Sequence, residues 1–108
     1  MSISAIMGIS FSGMQAQQTR LAATSNNVAN AMTPAYDRLE TDFTSRAQGG
    51  VSATVSPSGG PVLDDTSNVD LASEMLSLVE AEIGFKANAA VWETGADIWD
   101  VLLRIKRD

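Results

Sequence analysis

The sequence predicts a mainly α-helical protein: two long terminal helices pairing as a coiled-coil-like hairpin, with a short β-hairpin and loop segment between them. Three observations predict this. Leu71, Leu78, Phe85, Trp92 and Trp99 repeat every seven residues, with Met75, Glu82, Ala89, Ala96 and Leu103 at the alternating position, the period of a left-handed coiled coil sustained over nearly forty residues. Met7, Met14, Leu21 and Val28 form a second seven-residue stripe that stops at Asn26, Asn27 and Asn30 and then at Thr33-Pro34. Between the two stripes, Leu39, Thr41 and Phe43 alternate, as do Val51, Ala53 and Val55, with Gln48-Gly49-Gly50 separating the runs. The chain therefore divides into an N-terminal helix with its Asn-rich turn (1–36), a β-rich insert (37–67) and a C-terminal helix (68–108).

The first helix is expected from about Ser4 to Ala31. Pro34 lacks an N–H and pushes the residues before it toward an extended conformation, so the helix should end near Ala31 or Met32. Gly8 and Gly13 each weaken it by about 1 kcal/mol relative to alanine. Ser10, Gln17 and Thr24 also sit where a tight coiled coil wants apolar groups. Alone, this helix should be marginal or disordered before Gly13, and its methionines read as adaptable packing surface. Three asparagines in five residues are poor helix formers, because their amides compete for nearby backbone groups. At a helix end they point either to a polar terminus or to bonds made outside the helix.

In the insert, the loop from Ser56 to Pro61 contains glycines but no Walker lysine, and no helix is expected to open directly after them, so it does not read as a phosphate cradle. Asp64-Asp65 lack the regular oxygen spacing of a cation site. The second helix is expected to be capped by Ser67 or Asn68. Asp70 and Glu74 suit the positive end of its dipole, and Arg104, Lys106 and Arg107 suit the negative end.

Composition limits the function. Only six of 108 residues are aromatic, and much of the apolar share is alanine and methionine, so two such helices cannot build a core of normal size. Apolar stripes without internal partners point to assembly. The net charge is −6, and the seven Lys plus Arg form no basic face, which argues against nucleic acid. Residues Met1 to Tyr36 contain no acid and a single base, Arg20.

The chain has no cysteine and no histidine, leaving carboxylates, serines and lysine for any catalysis. Glu93, Asp97 and Asp100 share a helical face near Glu80 and Glu82, but a solvated acidic strip is the common meaning of that pattern. No enzyme, cofactor or metal is expected. No apolar run approaches the ~20 residues that span a bilayer. The start MSISAIMGIS lacks the basic and continuous apolar regions of a cleaved leader. A secreted helical hairpin acting on membranes or partner proteins is the alternative, although one base is few for an interfacial helix.

The stretch Asn26-Asn27-Val28-Ala29-Asn30-Ala31-Met32-Thr33-Pro34-Ala35-Tyr36 resembles the N-terminal signature of the bacterial flagellar rod and hook proteins. It departs from that signature at Ala35, where the family usually has glycine; a positive φ there would strain alanine by roughly 1 kcal/mol. Asn68-Val69-Asp70-Leu71, Glu74-Met75 and Ala87-Asn88 resemble the C-terminal signature of the same family, with Phe85 where tyrosine is common. The layout is similar to that of the small proximal-rod proteins. The resemblance implies a structural subunit of the periplasmic rod, stacked helically through paired terminal helices, whose partners are other rod subunits. It also implies passage through the flagellar type III export apparatus without cleavage, no nucleic acid and no direct membrane insertion. The residues expected to carry assembly are Met7, Met14, Leu21, Asn26, Asn27, Val28, Asn30, Thr33, Pro34, Tyr36, Leu71, Met75, Leu78, Phe85, Asn88, Trp92 and Trp99.

Overall fold

A computed structural model describes residues 2–107. Two long antiparallel helices, α1 (Ile3–Ala29) and α2 (Leu71–Arg107), enclose in sequence a two-stranded sheet of β1 (Leu39–Ser45) and β2 (Val51–Pro57). The strands pair antiparallel, from Leu39 opposite Pro57 to Ser45 opposite Val51. This is the helical hairpin with a β-hairpin insert that the hydrophobic periods predict.

The body measures 69 × 25 × 13 Å, with a radius of gyration of 18.4 Å. A globular chain of this length would have a radius of about 13 Å. The extended shape follows from the order of packing. α1 lies between α2 on one side and the β-hairpin on the other, and among the described residues neither strand lies against α2. Its middle position suits a helix almost without charge. The one base, Arg20, reaches α2, donating from Nε to Ser77 Oγ at 2.9 Å and pairing with Glu80.

Helix boundaries show where local chemistry decided. Ser2 caps α1 by accepting from the Ala5 N–H at 3.0 Å. The helix is regular from Ile3, where the sequence alone favoured disorder before Gly13; packing on α2 offsets the glycine cost. Met1 lies outside the described residues. α1 ends at Ala29 rather than at Ala31 or Met32, because Asn30 leaves helical geometry and its N–H closes the last turn on the carbonyls of Asn26 and Asn27. The cap of α2 is Asp70, not Ser67 or Asn68. Its carboxylate accepts from the Ala72 N–H at 3.2 Å and from Ser73 Oγ at 2.9 Å.

The helix–helix seam runs mainly on residues outside the two apolar stripes. Buried or nearly buried along it are Ser10, Gly13, Ala16, Thr24 and Asn27 of α1, with Glu74, Ala81 and Gly95 of α2. Apart from Met7, which inserts at Gly95, the predicted stripes are not at its centre. At 3.6 residues per turn they lie about a quarter turn away, on the side of the seam opposite the β-hairpin. Leu21, Val28, Leu71, Met75, Trp92, Trp99 and Leu103 are exposed, while Met7, Met14, Leu78 and Phe85 are half-buried.

Candidate assembly interface

The seam is a ladder of side chains set into glycines. A methyl group built on Gly13 would stand 2.6 Å from Asn88 Cγ; one on Gly84, 2.7 Å from Gln17 Cδ; one on Gly95, 2.7 Å from Met7 Cγ. Each of these glycines admits a knob from the facing helix, and no larger residue fits without displacing it. Two of the three knobs are amides. Asn88 Nδ2 donates to the Gly84 carbonyl one turn back at 2.8 Å, while Gln17 Oε1 is buried without a partner. A polar knob is expensive to strand in the wrong notch, so the ladder fixes register as well as closeness.

At the closed end of the hairpin, the asparagines organise the turn. The Asn27 side chain is 1% exposed and pairs with β1 as a neighbouring strand would. Its Nδ2 donates to the Leu39 carbonyl at 2.9 Å, and its Oδ1 accepts the Leu39 N–H at 2.7 Å. The same Oδ1 accepts from the Tyr36 hydroxyl at 2.8 Å, and the hydroxyl accepts from Asn26 Nδ2 at 2.9 Å. Asn30 accepts from Thr33 Oγ1 at 3.0 Å. Pro34 leads into Ala35, whose φ of 60° is the left-handed conformation that glycine would adopt without strain. The Ala35 N–H is held by the Thr66 carbonyl at 3.0 Å.

Asn68 joins this turn to the insert. Its Oδ1 accepts the Arg38 N–H at 2.7 Å and its Nδ2 donates to Asp37 Oδ1 at 2.9 Å. Hydrogen bonds from Ser58 and Asn68, with a further one from the Gly59 N–H, hold the Asp37 carboxyl below its ordinary range. Burial pushes the Tyr36 phenol up; the Asn26 hydrogen bond opposes this, and the charges of Glu74 and Asp37 add to it.

Glu74 lies in the first turn of α2, where the helix dipole favours it, and it is also buried. It is 1% exposed, and its Oε1 accepts from Arg38 Nε at 2.9 Å while Oε2 is unpartnered. Sequence reasoning had no signal for this pair, which closes across 36 residues. It also missed Gly13, Gln17, Gly84 and Gly95. The signal for the seam was a second seven-residue track, Glu74, Ala81, Asn88 and Gly95, which escapes a search for apolar residues.

The apolar stripes line an open groove beside the seam. One stretch, of about 430 Å³, lies among Gln18, Leu21, Leu78, Phe85 and Lys86. Another, of about 280 Å³, lies among Ser4, Met7, Ala96 and Trp99. Trp92 is 42% exposed and Trp99 50%. On α2, Leu76, Val79 and Ile83 are also more than half exposed. Asn30 and Asn88, the amides singled out by the two terminal signatures, are not together. Asn88 faces Gly13, about 25 Å along α1 from Asn30. They serve separate contacts.

The turn and the helix leading into it also match known sequences. The family described as "Flagella basal body rod protein" matches residues 7–36, which hold the Met stripe, the asparagines and Tyr36. Over this N-terminal stretch the chain is similar to flagellar rod and hook proteins. The flagellar hook protein FlgE of Brucella suis biovar 1 (strain 1330) is 40% identical over 43 residues, which are 40% of this chain and 11% of that protein. FlgE of Rhizobium meliloti (strain 1021) is 37% identical over the same shares of each. The chain thus spans about a tenth of the length of these curated relatives. The region that the family matches, residues 7–36, falls on the elements whose geometry is most tightly specified, the glycine-notched helix and the asparagine turn.

Glu93, Asp97 and Asp100 are all exposed on α2, with Asp100 paired to Arg104 at 2.7 Å. Among the described residues no group of three acids, cysteines or histidines is placed to hold a metal. No described helix is long and apolar enough to cross a membrane.

Proposed function

We propose that this chain is a structural subunit of the flagellar basal-body rod, assembling helically through its paired terminal helices with copies of itself and with neighbouring axial proteins. The observation that carries the reading is the disproportion between inside and outside. Among the described residues the buried apolar ones are Ala16, Ala23 and Ala81, whereas Phe11, Leu21, Trp92 and Trp99 are 42–51% exposed. A body 13 Å thick cannot cover its own large side chains; lateral contact with further helices buries them. The family described for the basal-body rod matches the N-terminal residues 7–36, and only residues 30–70 separate the two helices, which favours rod over hook. In this reading the subunit reaches the periplasm through the flagellar type III apparatus, its N-terminal helix uncleaved.

The test is Trp92→Ala. Because the side chain is 42% exposed in the single chain, the substitution should cost about 1–2 kcal/mol of stability, well under the 3–5 kcal/mol of a fully packed tryptophan. Cells producing the variant at normal level should nevertheless lose swimming and lack complete basal bodies in electron micrographs. Swimming as fast as the parent would sink the assembly reading of this face.

A further inference from the structure

Beyond the start of α1, α2 has no companion among the described residues. The first turns of α1 reach Gly95, Ala96 and Trp99, so residues 100–107 project by about 12 Å. Val101, Leu102, Leu103 and Ile105 in this projection are 53%, 47%, 47% and 67% exposed, and at 3.6 residues per turn they cover about half of its circumference. Four large apolar residues on so short a projection gain stability when a partner covers them. Its polar residues are mainly basic: Arg104, Lys106 and Arg107 are three of the seven bases in the chain. At the other end of the 69 Å axis, the turn beside the start of α2 exposes Asp64, Asp65 and Leu63, with Met32 92% exposed next to the Asn turn. No base occurs between Arg46 and Lys86.

We infer that the projecting end of α2 docks head to tail on the acidic turn of a second copy, with Val101, Leu102, Leu103 and Ile105 against Leu63 and Met32, and Arg104 and Lys106 against Asp64 and Asp65. The two surfaces are complementary in charge, and both present uncovered apolar residues. Because they are different surfaces of one chain, the contact repeats without closing and extends along the long axis. The inference rests on the assembly reading above and assigns it an axial contact distinct from the lateral groove. Arg104 leaves Asp100 for the partner's turn, an exchange between two exposed positions.

Charge reversal tests it in the intact chain. Sedimentation velocity over a concentration series should show the wild type forming progressively longer species. R104E/K106E and D64K/D65K should each weaken that association by at least about tenfold, since each sets like charges against each other. Their equimolar mixture should restore it, because every end then has a complementary one. Circular dichroism verifies that the exposed substitutions leave the helices intact. The inference is overturned if the wild type stays monomeric, if neither reversal has an effect, or if the mixture fails to recover. It is also overturned if only the basic-end reversal matters, which would mean that like ends pair. Association that is abolished by Trp92→Ala yet indifferent to both reversals would reject this contact and leave the lateral assembly standing.

Discussion

Asn27 holds Leu39 by both backbone groups, donating to its carbonyl at 2.9 Å and accepting its N–H at 2.7 Å. One side chain thereby starts β1 against α1 and fixes where the insert leaves the helix. Replacing it by alanine leaves two backbone groups without partners in a part-buried site, each worth about 1–3 kcal/mol. Asn27→Ala should lower the unfolding free energy by about 2–4 kcal/mol in urea titrations. A loss below 0.5 kcal/mol would show that the pairing is dispensable.

The glycine ladder gives a paired prediction. Gly13→Ala drives a methyl group to within 2.6 Å of Asn88 Cγ and should destabilise the hairpin by about 1–3 kcal/mol. Gly8→Ala on the same helix meets nothing within 4 Å and should gain up to about 1 kcal/mol in helix propensity. Adding Asn88→Ala to Gly13→Ala should recover much of the loss, and thermal unfolding of the four chains makes a double-mutant cycle. Equal effects of the two glycine substitutions would contradict the observed seam.

At Ala35 the backbone is left-handed, with φ 60°. Alanine is disfavoured there by about 1–2 kcal/mol, and a glycine would relax the turn at the cost of about 0.4–1 kcal/mol of unfolded-chain entropy. Ala35→Gly should therefore be neutral to about 1 kcal/mol stabilising, read as a rise in melting temperature. A clear destabilisation would mean that the methyl group makes a contact worth more than the strain.

Tyr36 is the only tyrosine, so tyrosinate absorbance reports this site alone. Burial raises its titration above the ordinary value of about 10. A raised folded value means that the stabilisation is complete below the unfolded value and is lost as pH rises through the folded one. Alkaline unfolding should track tyrosinate formation. Because Asn26 donates to the phenolic oxygen and so favours the phenolate, Asn26→Ala should push the midpoint higher still. A midpoint at or below the free-tyrosine value would remove the desolvated hydroxyl from the picture.

The architecture was legible because it depends on period. Seven-residue spacing at Leu71 to Trp99 marks a long helix, and alternation at Leu39 to Phe43 marks a strand, whatever they pack against. The face that packs was not legible by the same means. Searching for apolar repeats selects the residues with most to gain from burial, and in a single subunit these are the ones left outside. The seam is built from Gly13, Ala16, Ala81 and Gly95, whose value lies in absent side chains and so leaves no hydrophobic trace. The asparagine turn was recognisable as unusual. What the Asn27 amide bonds, Leu39, depended on chain brought from elsewhere, and so did what the Asn88 amide packs against, Gly13 of the facing helix. Glu74 was legible as a first-turn acid but not as a buried partner of Arg38, which is too distant in sequence to suggest itself.

The staggered ladder also implies an order of events during folding. Arg38 and Glu74 are separated by 36 residues, Arg20 and Ser77 by 57, and Met7 lies still farther from Gly95. The shortest chain closure is at the asparagine turn, and once it is made each further rung needs only a few more residues to be fixed. The hairpin should therefore close like a zip from Asn27 and Glu74 toward Met7 and Gly95. It should reopen in reverse, so that a subunit can release the first turns of α1 while its turn, strands and Arg38–Glu74 pair remain in place.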